Sequence, residues 1–311
     1  DPKAYDQYIA EHPLCPSEAT LQVSSNLFDI SSLQEQYNKV KANKLHAIGT
    51  AGRLYYGKDN KIKFEPDGDA RPILRFPHRK EDNLEGAIVL YEGPYRNQEG
   101  QTPHNLYVVC HDPYGQNQSA DSSSLGAAYV IKRINNISKP DDLIVASYVG
   151  RPHTQDEYNK NLFMLADYYN AKIGFENDRG AVIQYARQHR KLHRLQEEFE
   201  MLDKKELRSR NVKRNYGMHT TEARKRQGEL YIRDWLNAVR SDDGDTITLN
   251  LHKIYDLALL QELIKFNHRG NFDRVMALMI GMYHTRELYN AEVKEIIEDN
   301  SSNEWFDKNY Y

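Results

Sequence analysis

Three short runs of strand-forming residues, Leu106–Cys110, Ala127–Ile131 and Leu143–Val149, follow one another with only polar turns between them. No other feature of the chain constrains its fold as much. Runs this short, bounded by turn residues, read as strands, and short connections make them antiparallel neighbours. A helix follows. Thr154, with Glu157 three residues on, is the pairing of a capping box, and Tyr158, Leu162, Leu165 and Tyr169 recur at helical spacing, giving one apolar face to lay on a sheet. Next comes AKIGFEN (171–177), a strand in which Ile173 and Phe175 face one way while Gly174 and Glu176 face the other. A long helix is expected to start near Gly180. The helical crossover makes this fourth strand parallel to one already laid down, with a right-handed connection as the strong default. Beside the first strand, it forms the kind of strand-order reversal at which α/β sheets open their sites. Asp112 and Glu176 then stand on adjacent strands ~4.8 Å apart.

The flanking regions are simpler. From about residue 46 to 100, strand-like runs (RLYYG, KIKFEP, AIVLYEG) alternate with Gly, Asp and Pro and suggest antiparallel hairpins. Residues 1–45 read as helical and connecting material, and the start, DPKAYDQYIAEH, lacks both an initiator Met and the layout of a signal peptide, as expected for a fragment of a longer chain. Later, TLNLHKIYDLALLQELIKF reads as a strand edge and a helix. GNFDRVMALMIGMYHTREL reads as another helix, with Val275, Leu278, Met279 and Met282 at core spacing. The polar and aromatic end is expected to be a tail. The expected organisation is 1–45 linker, 46–290 main domain and 291–311 tail.

Composition excludes some classes. The mean hydropathy is −0.81, and apolar stretches such as MALMIGMY (276–283) fall far short of the ~20 residues that span a bilayer. Two cysteines far apart, Cys15 and Cys110, suit a reducing compartment better than a disulfide framework. The net charge of −3 conceals an asymmetry: between Arg187 and Arg226 lie 13 Lys/Arg against 6 acidic residues. Such a segment suits a polyanion such as nucleic acid, and equally a solvated helix whose basic side chains pair with neighbouring Glu.

The acids carry the functional argument. Two like charges at strand tips raise each other's pKa unless a cation lies between them. A hard divalent ion such as Mg²⁺ takes carboxylate oxygens and substrate phosphates together, and two such ions clamp the attacking and leaving oxygens of a phosphodiester. Each acid also has a plainer reading. HDPYG has the residue choice of a type I turn from Asp112, Glu176 in FENDRG can flank the next helix, and Asp273 suits the first turn of its helix through the dipole. His111 should face the opposite side of the strand from Asp112, where it would pack or support the acid from behind. Their joint placement at strand tip, neighbouring strand tip and helix start favours the metal reading.

The order of HDPYG, LIVASYVG, ADYYNAKIGFENDRG, YGMHTTEARKRQGELYIRDWL and LLQELIKFNHRGNFDRVMALMIG resembles the landmarks of the nuclease domain of tailed-bacteriophage terminase large subunits, from about 105 to 285. EHPLCPSEATL is similar to a segment near the end of that family's ATPase domain. The resemblance implies an α/β, ribonuclease H-like fold: a mixed five-stranded sheet flanked by helices, with additional N-terminal β-hairpins. It further implies a metal-dependent endonuclease that cuts concatemeric viral DNA during packaging into procapsids. Asp112, Glu176 and Asp273 would be catalytic and would hold two Mg²⁺ or Mn²⁺ ions, with Asp121 as a further metal ligand. Arg214, Arg224, Lys225 and Arg226 would contact DNA phosphates, and His268 and Arg269 lie in the loop before Asp273. Implied partners are double-stranded DNA, an upstream ATPase domain of the same protein, portal protein and the small terminase subunit, in the cytoplasm of the bacterial host and transiently at the portal. No GxxxxGK[ST] phosphate loop occurs, so the expectation for this stretch is cutting without translocation. A junction-resolvase type of nuclease and a non-catalytic DNA- or portal-docking module are the alternatives.

Overall fold

The computed structural model describes residues 26–79, 81–114, 124–177, 180–199, 216–242, 247–267 and 270–309. At its centre lies a seven-stranded sheet of β1 (Thr50–Tyr56), β2 (Ile62–Pro66), β3 (Ala87–Leu90), β4 (Tyr107–Asp112), β5 (Gly126–Lys132), β6 (Leu143–Gly150) and β7 (Lys172–Phe175), in the order β2-β1-β3-β6-β5-β4-β7. The expected meander is β4-β5-β6. Helix α1 (Ile30–Ala42) precedes the sheet, and helix α2 (Gln155–Tyr168) carries the chain back from β6 so that β7 lies parallel to β4, with His111 opposite Phe175. All other pairings in this sheet are antiparallel. Thr154 caps α2 by accepting the Glu157 N–H at 3.2 Å, as its sequence position anticipates.

The N-terminal hairpins extend this sheet. β3 pairs with β6, and β1 bridges β3 to β2. All four residues of β3 are buried, so its unbroken apolar run needs cover on both faces, which an interior position supplies. Beyond β7, the fifth position is represented by single bridges, Ile173 to Leu195 and Glu176 to Met218. The helix after β7, α3 (Ala181–Gln188), has eight residues rather than the long run expected. Arg190 adopts a left-handed φ of 56°, and the Lys191 N–H folds back onto the Ala186 carbonyl at 2.7 Å, the backbone closure that ends helices.

Strand alternation divides the interior in two. Tyr107, Val109, Ala128, Val130, Ile173 and Phe175 pack with α2 and α3 on one face, while Val108, Cys110, Ala127, Tyr129 and Ile131 pack with the remaining helices on the other. These are α4 (Glu222–Leu236), α5 (Leu257–Lys265) and α6 (Asp273–Asn309), beside a small hairpin of β8 (Val239–Asp242) and β9 (Ile247–Leu249). Helix α1 joins the same core: the Phe28 and Phe266 rings lie 5.5 Å apart, and the Gln36 amide donates to the carbonyls of His252 and Ile254. Helix α6 crosses β4 and β5 closely, since a Cβ on Gly281 would come within 2.6 Å of Ile131 Cδ1 and 2.9 Å of Cys110 Sγ. Its backbone continues beyond residue 290, through the stretch expected as a tail. Among the described residues, no helix is long and apolar enough to cross a membrane.

Candidate metal centre

Asp112 is the last residue of β4 and shares a face with Val108 and Cys110, which directs it toward α6. The Glu176 N–H donates to the His111 carbonyl at 3.2 Å and so extends the parallel ladder by one step beyond β7. Since Ile173 and Phe175 face α2, Glu176 faces the Asp112 side, close enough for its charge to act on the Asp112 carboxyl. Asp273 opens α6. Its carboxylate accepts from the Leu125 N–H (2.8 Å), the Ser124 hydroxyl (3.1 Å) and the Asn271 amide (3.2 Å). Ser124 and Leu125 lead directly into β5, the strand paired with the tip of β4 at Ala127. Three acids remote in sequence thus meet at one rim of the sheet.

Their electrostatics reflect this crowding. Burial pushes the Asp112 carboxyl well above the usual carboxylate range, and the charges of Asp273 and Glu176 push it further. Asp273 is also raised, by burial first, against the lowering effect of the Leu125 N–H, the Ser124 hydroxyl and the Arg274 charge. Among the described residues, Asp112 and Glu176 have no basic ion-pair partner. Also among the described residues, no three His, Cys, Asp or Glu side chains converge tightly enough to form a ready-made ion site. The donors are nonetheless all hard carboxylate oxygens, buried at Asp112 and Asp273, which fits a hard divalent cation better than a soft-ligand metal.

The structure also shows what surrounds these acids. His111 lies on the opposite face, its Nδ1 3.1 Å from the Ala127 carbonyl and its ring stacked on Tyr158, and burial lowers its pKa to about 4. Its place on the opposite face is the one its strand parity anticipates, and there it packs. Met218, bridged to Glu176, leads through a short loop to α4. There Arg226 is exposed and Lys225 is partly exposed, 3.7 Å from Glu222. Arg224 departs from the expected phosphate-facing position: it is buried and donates to the His219 carbonyl at 2.6 Å. Arg214, Asp121, His268 and Arg269 lie outside the described residues.

Two residues escaped the sequence reading. Glu262, buried on α5, forms an ion pair with Arg274 at 2.8 Å, and burial raises its pKa to about 7. The available signal was a single acid among Leu259, Leu260 and Leu263, a position that otherwise calls for an apolar side chain.

An antiparallel trio, a helical crossover and a fourth strand parallel to the first, with acids at the two parallel tips, define a ribonuclease H-like sheet. Solved structures of the large terminase nuclease from thermophilic phage G20c are similar to this chain. The magnesium-bound form has 14% identity and a TM-score of 0.38, covering 68% of this chain and 92% of that one. The zinc-bound form has 14% identity and a TM-score of 0.38, covering 67% and 91%. No protein-family model and no curated protein matches the sequence.

Proposed function

We propose that the chain is a divalent-metal-dependent DNA endonuclease acting in phage genome packaging, where it cuts concatemeric DNA. The observation that carries this reading is the common rim of Asp112, Glu176 and Asp273, where burial, with the charges of Asp273 and Glu176, holds the Asp112 carboxyl well above the usual carboxylate range. The order of motifs from HDPYG to NFDRVMALMIG adds to it.

In this reading, Asp112 and Glu176 hold the metal and Asp273 completes its shell. Two Mg²⁺ or Mn²⁺ ions held there would supply Lewis-acid activation of water and stabilisation of the departing 3′ oxygen, with a 3′ hydroxyl and a 5′ phosphate as the expected products. Asp112, which keeps its proton to a higher pH than an ordinary carboxylate, would have to release it to act as a ligand, so ion binding would strengthen as pH rises. The hydrogen bonds from Ser124 and Leu125 hold the Asp273 carboxylate at the entrance of β5. Lys225 and Arg226 bind backbone phosphates without reading sequence. Partners in this role are double-stranded DNA, an upstream ATPase domain, portal protein and the small subunit, in the host cytoplasm.

The test is plasmid cleavage by the purified chain with Mg²⁺, Mn²⁺ or EDTA, alongside Asp112→Ala. Cleavage should require metal and vanish in the variant while DNA binding persists. Undiminished cutting in Asp112→Ala, or cutting in EDTA, overturns the proposal.

A further inference from the structure

We infer that Glu262 is a positioning residue that caps the first turn of α6 from a separate helix and so leaves the Asp273 carboxylate available to the acidic rim. As a statement about metal binding, this rests on the proposed reading of that rim.

The first N–H groups of a helix have no partners within it and are usually met by a side chain at the cap position. In α6 the cap position belongs to Phe272, whose carbonyl accepts the Met276 N–H at 2.9 Å but whose side chain offers no acceptor. Asp273, the nearest acid, is turned toward Ser124, Leu125 and Asn271. Glu262 supplies the missing acceptor. Its Oε2 accepts the backbone N–H groups of Arg274 (2.9 Å) and Val275 (3.2 Å), while its Oε1 accepts from the Arg274 guanidinium (2.8 Å). A carboxylate at this end also has the favourable sign for the helix dipole.

The element that carries the cap is itself fixed. Asp256 caps α5 by accepting the Ala258 and Leu259 N–H groups and also accepts the Tyr129 hydroxyl from the sheet (2.8 Å), while the Asn26 amide donates to the Leu263 carbonyl at the other end (2.8 Å). Arg274 donates in addition to the Ile73 carbonyl (3.0 Å). The start of α6 is therefore located from two directions: from the β5 entrance through Asp273, and from α5 through Glu262. An ion pair serving stability alone would need only the guanidinium contact. The two backbone contacts tie Glu262 to the register of the turn that bears Asp273.

The experiment combines Mn²⁺ binding by calorimetry, for the parent, Glu262→Gln, Asp273→Asn and the double variant, with amide hydrogen exchange at Arg274 and Val275 in metal-free protein. Glu262→Gln should weaken Mn²⁺ binding about 10- to 100-fold, the range for residues that orient ligands. The same change in the Asp273→Asn background should weaken it by less than about threefold, since the two act through one group. Exchange at the two amides should accelerate about tenfold or more in Glu262→Gln. A folded Glu262→Gln protein with near-parental Mn²⁺ affinity and unchanged exchange overturns the inference, as does an equal loss in both backgrounds. If the parent binds no Mn²⁺, the metal reading fails instead, and the exchange result alone decides whether Glu262 caps α6. Should Glu262→Gln not fold, Glu262→Asp, which keeps the charge for Arg274 but shortens the reach, is held to the same outcomes.

Discussion

The Glu176 N–H reaches the His111 carbonyl at 3.2 Å, and this one bond sets Glu176 beside Asp112 on the face that looks toward α6. Burial, with the charges of Asp273 and of Glu176 so placed, raises the Asp112 pKa. Because Asp112 keeps its proton in the folded state to a higher pH than in the unfolded chain, metal-free stability should fall as pH rises from the ordinary carboxylate range through the folded-state value. Asp112→Asn should flatten that slope and raise metal-free stability at neutral pH by about 1–2 kcal/mol. It should also abolish thermal stabilisation by Mn²⁺. Melting curves with and without Mn²⁺ check all three, and an intact Mn²⁺ shift in the variant counts against the site.

The basic residues of α4 should behave differently from one another. Lys225→Ala and Arg226→Ala should each lower the slope of log affinity for duplex DNA against log salt by about 0.9, the loss of one phosphate contact. Arg224→Ala should leave that slope unchanged and cost about 1.5–3 kcal/mol of stability through its lost charged hydrogen bond to the His219 carbonyl. Fluorescence anisotropy over a salt series, paired with urea unfolding, separates the two effects.

His284 supplies a pH prediction away from the acidic rim. It is buried on α6, with Nε2 3.1 Å from Gln196 Oε1, and burial, with the charges of Arg133 and Lys172, lowers its pKa to about 3. The unfolded chain takes up this proton near the ordinary histidine value of 6.5, and the folded protein does so only near 3. Its contribution is therefore complete above 6.5 and is lost as pH falls from there toward 3. His284→Gln should flatten the acid limb of the stability curve by up to about 1.4 kcal/mol per pH unit, as read by urea unfolding at stepped pH.

Gly281 offers a test of packing. A methyl group there must displace Ile131 or Cys110, so Gly281→Ala should cost about 1–3 kcal/mol. Because α6 also carries Asp273, Mn²⁺ affinity should fall in the same variant. Stability loss with unchanged affinity would show that the start of the helix is held independently of its middle.

Much of this arrangement was legible in the sequence. Short apolar runs marked β4, β5 and β6, and strand parity alone directed Asp112 and Glu176 away from His111 and Phe175. Where the reading failed, the cause lay in tertiary context. Arg190 closes α3 in a left-handed conformation that glycine usually adopts, so its identity gave no warning. Arg224 shares helical spacing with Gly228, Ile232 and Trp235, all buried, and its inward position could have been read from that phase rather than from the basic run. Glu262 required knowledge of a partner on another helix, which periodicity along one helix does not supply.

Asp273 stands 161 residues downstream of Asp112, on the last long helix of the sheet assembly. During synthesis, the two strand-tip acids therefore reach the solvent side of the ribosome well before their third companion. A nascent chain stopped short of α6 carries an incomplete rim, so whatever chemistry the assembled rim performs is deferred until the domain has nearly finished folding.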